Sequence, residues 1–412
     1  DPRRFALPPT LKELVQGVKG DLLDPASLAQ LPTNIDAAYY LVHSMGGANK
    51  DFSTLEATSA QNFVDYLNTT SAKQIVYLSG IANVENLSRH LSSRLNVENI
   101  LANAKAKLTV LRAAIIIGSG SASFEILRDL VEKLPLMITP QWLSSRCQPI
   151  AIRDVMYYLT EILGNTACYG RSFEIGGPDV LTYREMILRF AKLRGLKRYL
   201  IPVPVLTPRI SSYWLYFVTS TSFSLAKSLV DSLRNDVVVK DHSIESILPH
   251  QCISYEEAIK LAFSKIEQNM VISSWKDALV SGTIHLHYMD FVQIPEFGVL
   301  TDRQRMKFER PVEEVLQNIW RIGGERGWYK TDFLWRIRGL LDKLAGGVGL
   351  RRGRRSPTDL KAGDTIDFWR VLVADEENMR LLLYAEMKLP GEAWLQFKIQ
   401  QEEDGNYLEQ LA

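Results

Sequence analysis

Short apolar runs of strand length alternate with segments of helical spacing through the first half of this chain. DAAYYLVHSM (36–45) is almost continuously apolar, as expected of a parallel strand buried on both faces. A helix is predicted over 52–67, then the strand QIVYLSG, a helix carrying His90, and the strand LTVLRAAIIIG. Before these, a short strand is expected around 13–18, followed by a helix capped by Asp24. Further on, RCQPIAIRDVMYYLTEIL reads as a short strand and a helix capped by Asp154, and GRSFEIGGPDVLTYREMILRFAKLRG repeats the theme with Thr182 as cap. Such alternation predicts an α/β fold with a doubly wound parallel sheet, whose ligands bind at the carboxyl ends of the strands. Val42, His43, Ser44, Ser79 and Ala114, with Ile115 beside it, fall at such ends.

From Gly282 the pattern changes. TIHLHYMDFVQ alternates as a strand with His285 and His287 on one face; no third ligand accompanies them, and no metal site is expected. Two helical segments follow, and then three strand-like runs, DTIDFWRVLVA, RLLLYAEMKL and AWLQFKIQQ. The two styles divide the chain into 1–280, with a substrate lobe near 118–150 and 176–250, and 281–412.

Composition narrows the class. The chain has 412 residues, 46% hydrophobic and 23% charged, enough for two domains. A net charge of +1 offers no argument for nucleic acid or a membrane surface, and the most apolar stretch, from Trp214, is broken by Ser, Thr and Lys227. No transmembrane segment is expected. Cys147, Cys168 and Cys252 are few and lack metal-type spacing, which suggests reduced thiols in a cytoplasmic setting.

The chemistry-bearing frame is IVYLSGIANVENLSRHLSSRLNVE (75–98). Ser79 ends a strand, and His90 and Arg94 lie four residues apart on the following helix, stacked on one face. The frame resembles the short-chain dehydrogenase/reductase superfamily, which uses a strand-end Ser and a helical Tyr-x-x-x-Lys, with Glu98 at a position often acidic in extended members. His90 stands where Tyr is expected and Arg94 where Lys is. The resemblance implies Ser79 orienting a substrate oxygen, His90 as proton donor and Arg94 on the nicotinamide ribose. Histidine titrates near neutrality and suits acid/base work, whereas arginine stays charged and relays no proton. The alternative is that His90 is an ordinary polar position on a half-exposed helix.

The glycine-rich turn of a dinucleotide-binding sheet is absent. Either the natural first strand, loop and helix are missing from this chain, which is the expectation, or it never bound a dinucleotide. On the first view DPRRF is the loop leaving the second strand, GDLLDPASL resembles the adenine-side turn with Asp21 and Leu22, and Arg3 and Arg4 sit where a 2′-phosphate is read. This favours NADP, with NAD as the alternative. A second glycine-bearing stretch, Gly118 to Ser123, precedes a helical segment over 124–133; Gly118, Ser119 and Ser121 are candidate substrate contacts, with Ser121 or Ser123 as helix cap. Arg146 and Gln148 are further candidate substrate contacts.

GGxxGWY, LWRIRGLLDKLAGGVGLRRGRR, GDTIDFWRV and EMKLPGEAWLQF resemble a domain of unknown function fused to NmrA-like short-chain dehydrogenases in bacteria. Those proteins are described as NAD(P)-binding oxidoreductases or nucleoside-diphosphate-sugar epimerases. Strand, two helices and an antiparallel set is also the order of an α+β helix-grip domain, START/Bet v 1-like, here expected to be incomplete at its C-terminus. The resemblance implies an NADP(H)-linked oxidoreductase acting on an unidentified carbonyl or hydroxyl substrate. Its alternative is a non-catalytic dinucleotide-binding redox sensor whose second domain takes an apolar ligand or partner. A third reading is an apolar-ligand carrier with a cavity lined by Trp335, Phe368 and Trp394. The run Arg351, Arg352, Arg354, Arg355 is expected to be a solvated turn or a contact with acidic groups of the other domain.

Overall fold

A computed structural model describes residues 13–42, 52–81, 89–139, 141–202, 235–267, 300–328, 332–344, 349, 354–386 and 393–412. Arg3, Arg4, His43, Ser44, His285, His287, Arg351, Arg352 and the apolar stretch from Trp214 lie outside them, as does the domain boundary at 280. The residues fall into two compact bodies, one reaching Ser264 and one beginning at Lys265.

The first body opens with α1 (Pro25–Leu28), capped as expected by Asp24, which accepts from the Ala26 amide. Residues 13–18 form a turn and irregular chain rather than the expected strand. Leu14, Val15 and Val18 are exposed there, so no burial rewards an extended pairing. β1 (Ala37–Tyr40), α2 (Phe52–Leu67), β2 (Gln74–Gly80), α3 (Arg89–Leu101) and β3 (Lys107–Ala113) then alternate. LTVLRAAIIIG does not continue as one strand: after a bend, β4 (Ile116–Ile117) leaves the main sheet. Next come α4 (Ala122–Lys133), β5 (Leu136–Thr139), β6 (Arg146–Cys147), β7 (Ile150–Ala151), α5 (Ile152–Glu161), β8 (Ser172–Ile175), β9 (Leu181–Thr182) and α6 (Tyr183–Leu193). β10 (Tyr199–Pro202), α7 (Ser243–Ile247) and α8 (Tyr255–Glu267) complete the described elements of this region.

The main sheet has the order β1-β2-β3-β8 and every pairing in it is parallel. Two apolar clusters pack on it. One joins Tyr40, Ile75, Tyr77 and Val110 to Val64 and Leu67 of α2 and Val97 and Leu101 of α3. The other joins Val76, Leu111, Phe173 and Ile175 to Val155, Tyr158 and Leu159 of α5. Helices on both faces make this a doubly wound α/β sheet. β1 departs from the burial expected of it: Tyr40 is buried, but Tyr39, Leu41 and Val42 are exposed, because β1 has only β2 beside it among the described strands.

Buried polar groups fix the register. Gln74 donates from Nε2 to Thr109 Oγ1 (3.0 Å) and the Ile162 carbonyl (2.9 Å) and accepts from the Gly164 amide (2.8 Å), tying β2 to β3 and to the end of α5. Glu98 accepts from Arg112 on β3 and from Ser172 on β8 (3.2 Å), so α3 is anchored across two strands. Leaving either group unpaired would cost about 1–3 kcal/mol.

In the second body, β11 (Arg303–Phe308) and β12 (Thr365–Ile366), β13 (Trp369–Asp375), β14 (Arg380–Ala385), β15 (Trp394–Glu402) and β16 (Gly405–Leu411) form one antiparallel sheet, ordered β11-β16-β15-β14-β13-β12. α9 (Val312–Trp320) and α10 (Asp332–Leu344) lie between β11 and β12 in sequence. Leu381, Leu383, Leu395 and Ile399 pack with Ile319 and Trp320 of α9.

The glycines of GGxxGWY have a mechanical reason. Gly323, Gly324 and Gly327 all take positive φ, and the turn closes by Gly323 N–H on the Gly327 carbonyl (3.0 Å). Asp367, also at positive φ in the β12–β13 hairpin, accepts from the Gly324 amide (3.1 Å) and from Trp328 Nε1 (2.7 Å). Of the basic run, Arg354 and Arg355 are described, and both make internal bonds rather than standing in a solvated turn. Arg354 donates to the carbonyls of Trp320 and Ile322 (both 2.6 Å), and Arg355 grips Asp364 with Nε and Nη2 (3.1 and 2.9 Å). Burial lowers the Arg354 pKa to about 10. These guanidiniums are internal braces, buried because acids and carbonyls of the same body meet them.

Candidate functional site

Three parallel strands deliver their carboxyl ends together. Ser79 pairs with Arg112 and Gly80 with Ala113, so the ends of β2 and β3 are level. Val42, two residues past β1, is exposed; Ala114 and Ile115, just past β3, are half-buried. This is the edge at which a doubly wound sheet binds ligands. A groove of ≈ 530 Å³ lies elsewhere, at the amino ends of β1 and β2, lined by Ile35, Asp36, Tyr39, Lys73 and Leu163.

Behind the strand ends, Tyr77 is the hub of a buried polar cluster. It shares a face of β2 with Ser79, two residues on. Arg94 of α3 reaches back to Tyr77 Oη from Nη1 at 3.4 Å. Burial pushes the Tyr77 hydroxyl pKa up, and the Arg94 guanidinium works against that rise. Glu56 of α2 accepts from Ser93 of α3 beside this group and adds negative charge toward Tyr40 and Tyr77. Ser79 is 9% exposed and Glu56 3%. Ser79 lies two residues along β2 from Tyr77, a buried tyrosine, and Arg94 reaches that tyrosine from α3. Arg94 is aimed at that tyrosine. His90 lies in the first turn of α3, and its side chain is outside the described residues.

The other candidates have structural partners. Asp21 accepts from the Leu23 amide (2.9 Å), and the Leu22 carbonyl accepts from Asn62 (2.7 Å). Ser121 rather than Ser123 caps α4, accepting from the Phe124 amide (3.3 Å). Gly118 leaves no room for a side chain, since a Cβ there would meet Ile152 Cγ2 at 2.8 Å. Arg146 is paired with Asp236 (2.9 Å). Gln148 gives its amide to the Gly177 carbonyl (2.7 Å) and accepts from the Val239 amide (3.1 Å). Ser119 is half-buried in the turn before α4.

Thr182 caps α6 in a full capping box with Glu185, as expected. Asp154 does not cap α5. Ala151 holds the cap position without a side-chain bond, and the Asp154 carboxylate turns to the 250–253 segment, accepting from the Ile253 amide (3.1 Å) and meeting His250 Nε2 (2.9 Å). In the second body Trp328, Trp335, Phe368 and Trp369 pack ring on ring, with centroids 5.1 to 6.4 Å apart. Trp394 lies apart from them, edge-on to Tyr384.

The strand-end residues fit the uncharged portions of a dinucleotide: Val42 and Ile115 offer apolar surface, with the Ser79 hydroxyl between their strands. Among the described residues no glycine-rich turn joins a strand of the main sheet to a helix in the way a pyrophosphate requires.

Residues 298–412 match a family described as protein of unknown function (DUF2867). A curated relative, the mitochondrial NADH dehydrogenase [ubiquinone] 1 alpha subcomplex subunit 9 of Arabidopsis thaliana, is 23% identical over 197 residues, covering 45% of this chain and 49% of that protein. The chain thus spans about half the length of the curated relative it matches. Among solved structures, a nucleoside-diphosphate-sugar epimerase from Staphylococcus aureus is similar at TM-score 0.49 and 14% identity, covering 62% of this chain and 86% of that one. A Citrobacter sp. triphenylmethane reductase complexed with NADP(H) gives TM-score 0.47 and 14% identity, with 59% and 82% covered. No described helix is long and apolar enough to cross a membrane.

Proposed function

We propose that this chain is an oxidoreductase-like protein that binds a nicotinamide dinucleotide, NADPH ahead of NADH, along the carboxyl edge of its parallel sheet. The observation that carries this is the level alignment of the β2 and β3 ends, with Ser79 there and Arg94 braced behind it by Tyr77. The similarity to a protein named as an NADH dehydrogenase subunit supports the reading. Val42, Ala114 and Ile115 would hold the cofactor's rings and sugars. When bound, it supplies or accepts a hydride. In turnover Ser79 would orient a carbonyl or carbinol oxygen and His90 would move its proton, while Arg94 stays on Tyr77 instead of the ribose. The three free thiols suit a reducing cytoplasmic setting. For the second body we propose the helix-grip architecture, on the strength of its antiparallel sheet and two helices.

A second reading, binding without turnover, is favoured by one observation: Arg94 is engaged by Tyr77 rather than left open to the cofactor. Oxidation of NADPH by the purified chain across a panel of aldehydes, ketones and quinones separates the two. In the catalytic case turnover is expected to fall by about 10²–10⁴-fold in His90→Ala with dinucleotide affinity retained. Tight binding with no turnover on any substrate assigns the chain to the sensor reading, and turnover unchanged in His90→Ala removes the proton-donor role.

A further inference from the structure

Asp154, His250 and Cys252 place a carboxylate oxygen, an imidazole nitrogen and a thiol sulfur all within 4.8 Å of one another. The proposed dinucleotide site uses none of them. Asp154, in the first turn of α5, is 1% exposed. The Ile253 amide holds its Oδ2 at 3.1 Å, which leaves Oδ1 facing His250 Nε2 at 2.9 Å. The His250 ring is fixed by stacking on Tyr157 (centroids 3.9 Å apart, 15° between planes) and by the edge of Tyr158. The Cys252 sulfur sits 3.8 Å from Tyr158 Oη. His250 keeps 23% of its side chain exposed, which provides a route from solvent.

We infer that these three side chains form a binding site for a zinc ion. Tetrahedral zinc with bonds of about 2.0–2.3 Å needs ligand atoms roughly 3.3–3.7 Å apart, so the widest pair, within 4.8 Å, closes by no more than about 1.5 Å while the 2.9 Å Asp154–His250 pair opens by about 0.4 Å. The ion displaces the hydrogen between His250 Nε2 and Asp154 Oδ1 and sits off the line joining them, on the side of the Cys252 sulfur. Mixed sulfur, nitrogen and oxygen donors select zinc over magnesium or calcium, which prefer oxygen alone. Three protein ligands leave a fourth position for water or a small anion. The Ile253 amide and the Tyr157 stack already orient the carboxylate and the ring, the role of outer-shell partners in metal sites. Bound zinc would clasp the 250–253 segment to α5.

The test uses the full chain, stripped with a chelator and titrated with Co²⁺. One equivalent is expected to bind with four-coordinate visible bands and a near-ultraviolet thiolate-to-cobalt charge-transfer band, both displaced by Zn²⁺. In Cys252→Ser the charge-transfer band is expected to vanish, and Asp154→Asn is expected to weaken cobalt by at least the roughly 10- to 100-fold that loss of an outer-shell partner costs. No cobalt spectrum at one equivalent, or an undiminished band in Cys252→Ser, would overturn the site. Alkylation of the unaltered chain keeps the test independent of variant folding. Equimolar zinc should slow modification of Cys252 by at least about tenfold, and an unchanged rate contradicts the proposal.

Discussion

Glu386→Ala is expected to destabilise the antiparallel body by about 3–5 kcal/mol. Arg370 and Glu386 sit on β13 and just past the end of β14, 1% and 2% exposed. Arg370 donates from Nε and Nη2 to the two carboxylate oxygens (3.0 and 3.1 Å) and from Nη1 to the Gly363 carbonyl (2.7 Å). Removing the acid leaves a guanidinium in the interior with its principal counter-charge gone. That penalty exceeds what the pair itself adds, because both ions were already stripped of water. Arg370→Leu with Glu386→Leu is accordingly expected to recover most of the loss. Urea unfolding followed by tryptophan fluorescence reads this directly, since Trp320, Trp328 and Trp369 are buried in the same body. A single-variant loss below about 1 kcal/mol would show that water reaches the pair.

The second large effect is expected at Gly323. Its φ of +73° lies in the left-handed region, where a residue bearing a Cβ pays about 1–2 kcal/mol. A Cβ there would meet Ile366 Cγ2 at 2.2 Å and Asp367 Oδ2 at 2.9 Å. Ile366 is fully buried, and Asp367 is fixed by Trp328 and Gly324, so neither neighbour yields easily. Gly323→Ala should therefore lose more than about 3 kcal/mol, beyond the usual range of a point substitution. At Gly164, also at positive φ but with nothing within 4 Å of a Cβ, the same change should cost only the backbone term. Equal losses at the two positions would sink the steric argument.

Much of the first body was legible because its elements carry strong local signals. Apolar spacing marked α2 to the residue, and Thr182 announced the start of α6. β11 was hidden for the opposite reason: RQRMKF is mostly exposed and charged, so neither alternation nor burial marks it, and only pairing with β16 makes it a strand. Tyr77 reads as core in a β-branched run, and its hydroxyl gains meaning only once α3 brings Arg94 over it. Asp154 meets His250 across 96 residues, a separation that leaves no spacing motif. Arg354 and Arg355 look solvated because charge is normally exposed; the acid and carbonyls that meet them come from just before β12 and from the end of α9.

Dinucleotide binding is the claim on which the functional account turns. The most direct measurement is equilibrium titration of the purified chain with NADPH and NADH, read as energy transfer from tryptophan to the reduced nicotinamide. Saturable binding of one equivalent, tighter for NADPH, is the predicted result. No saturable transfer with either nucleotide would contradict it and leave the parallel sheet without a dinucleotide role.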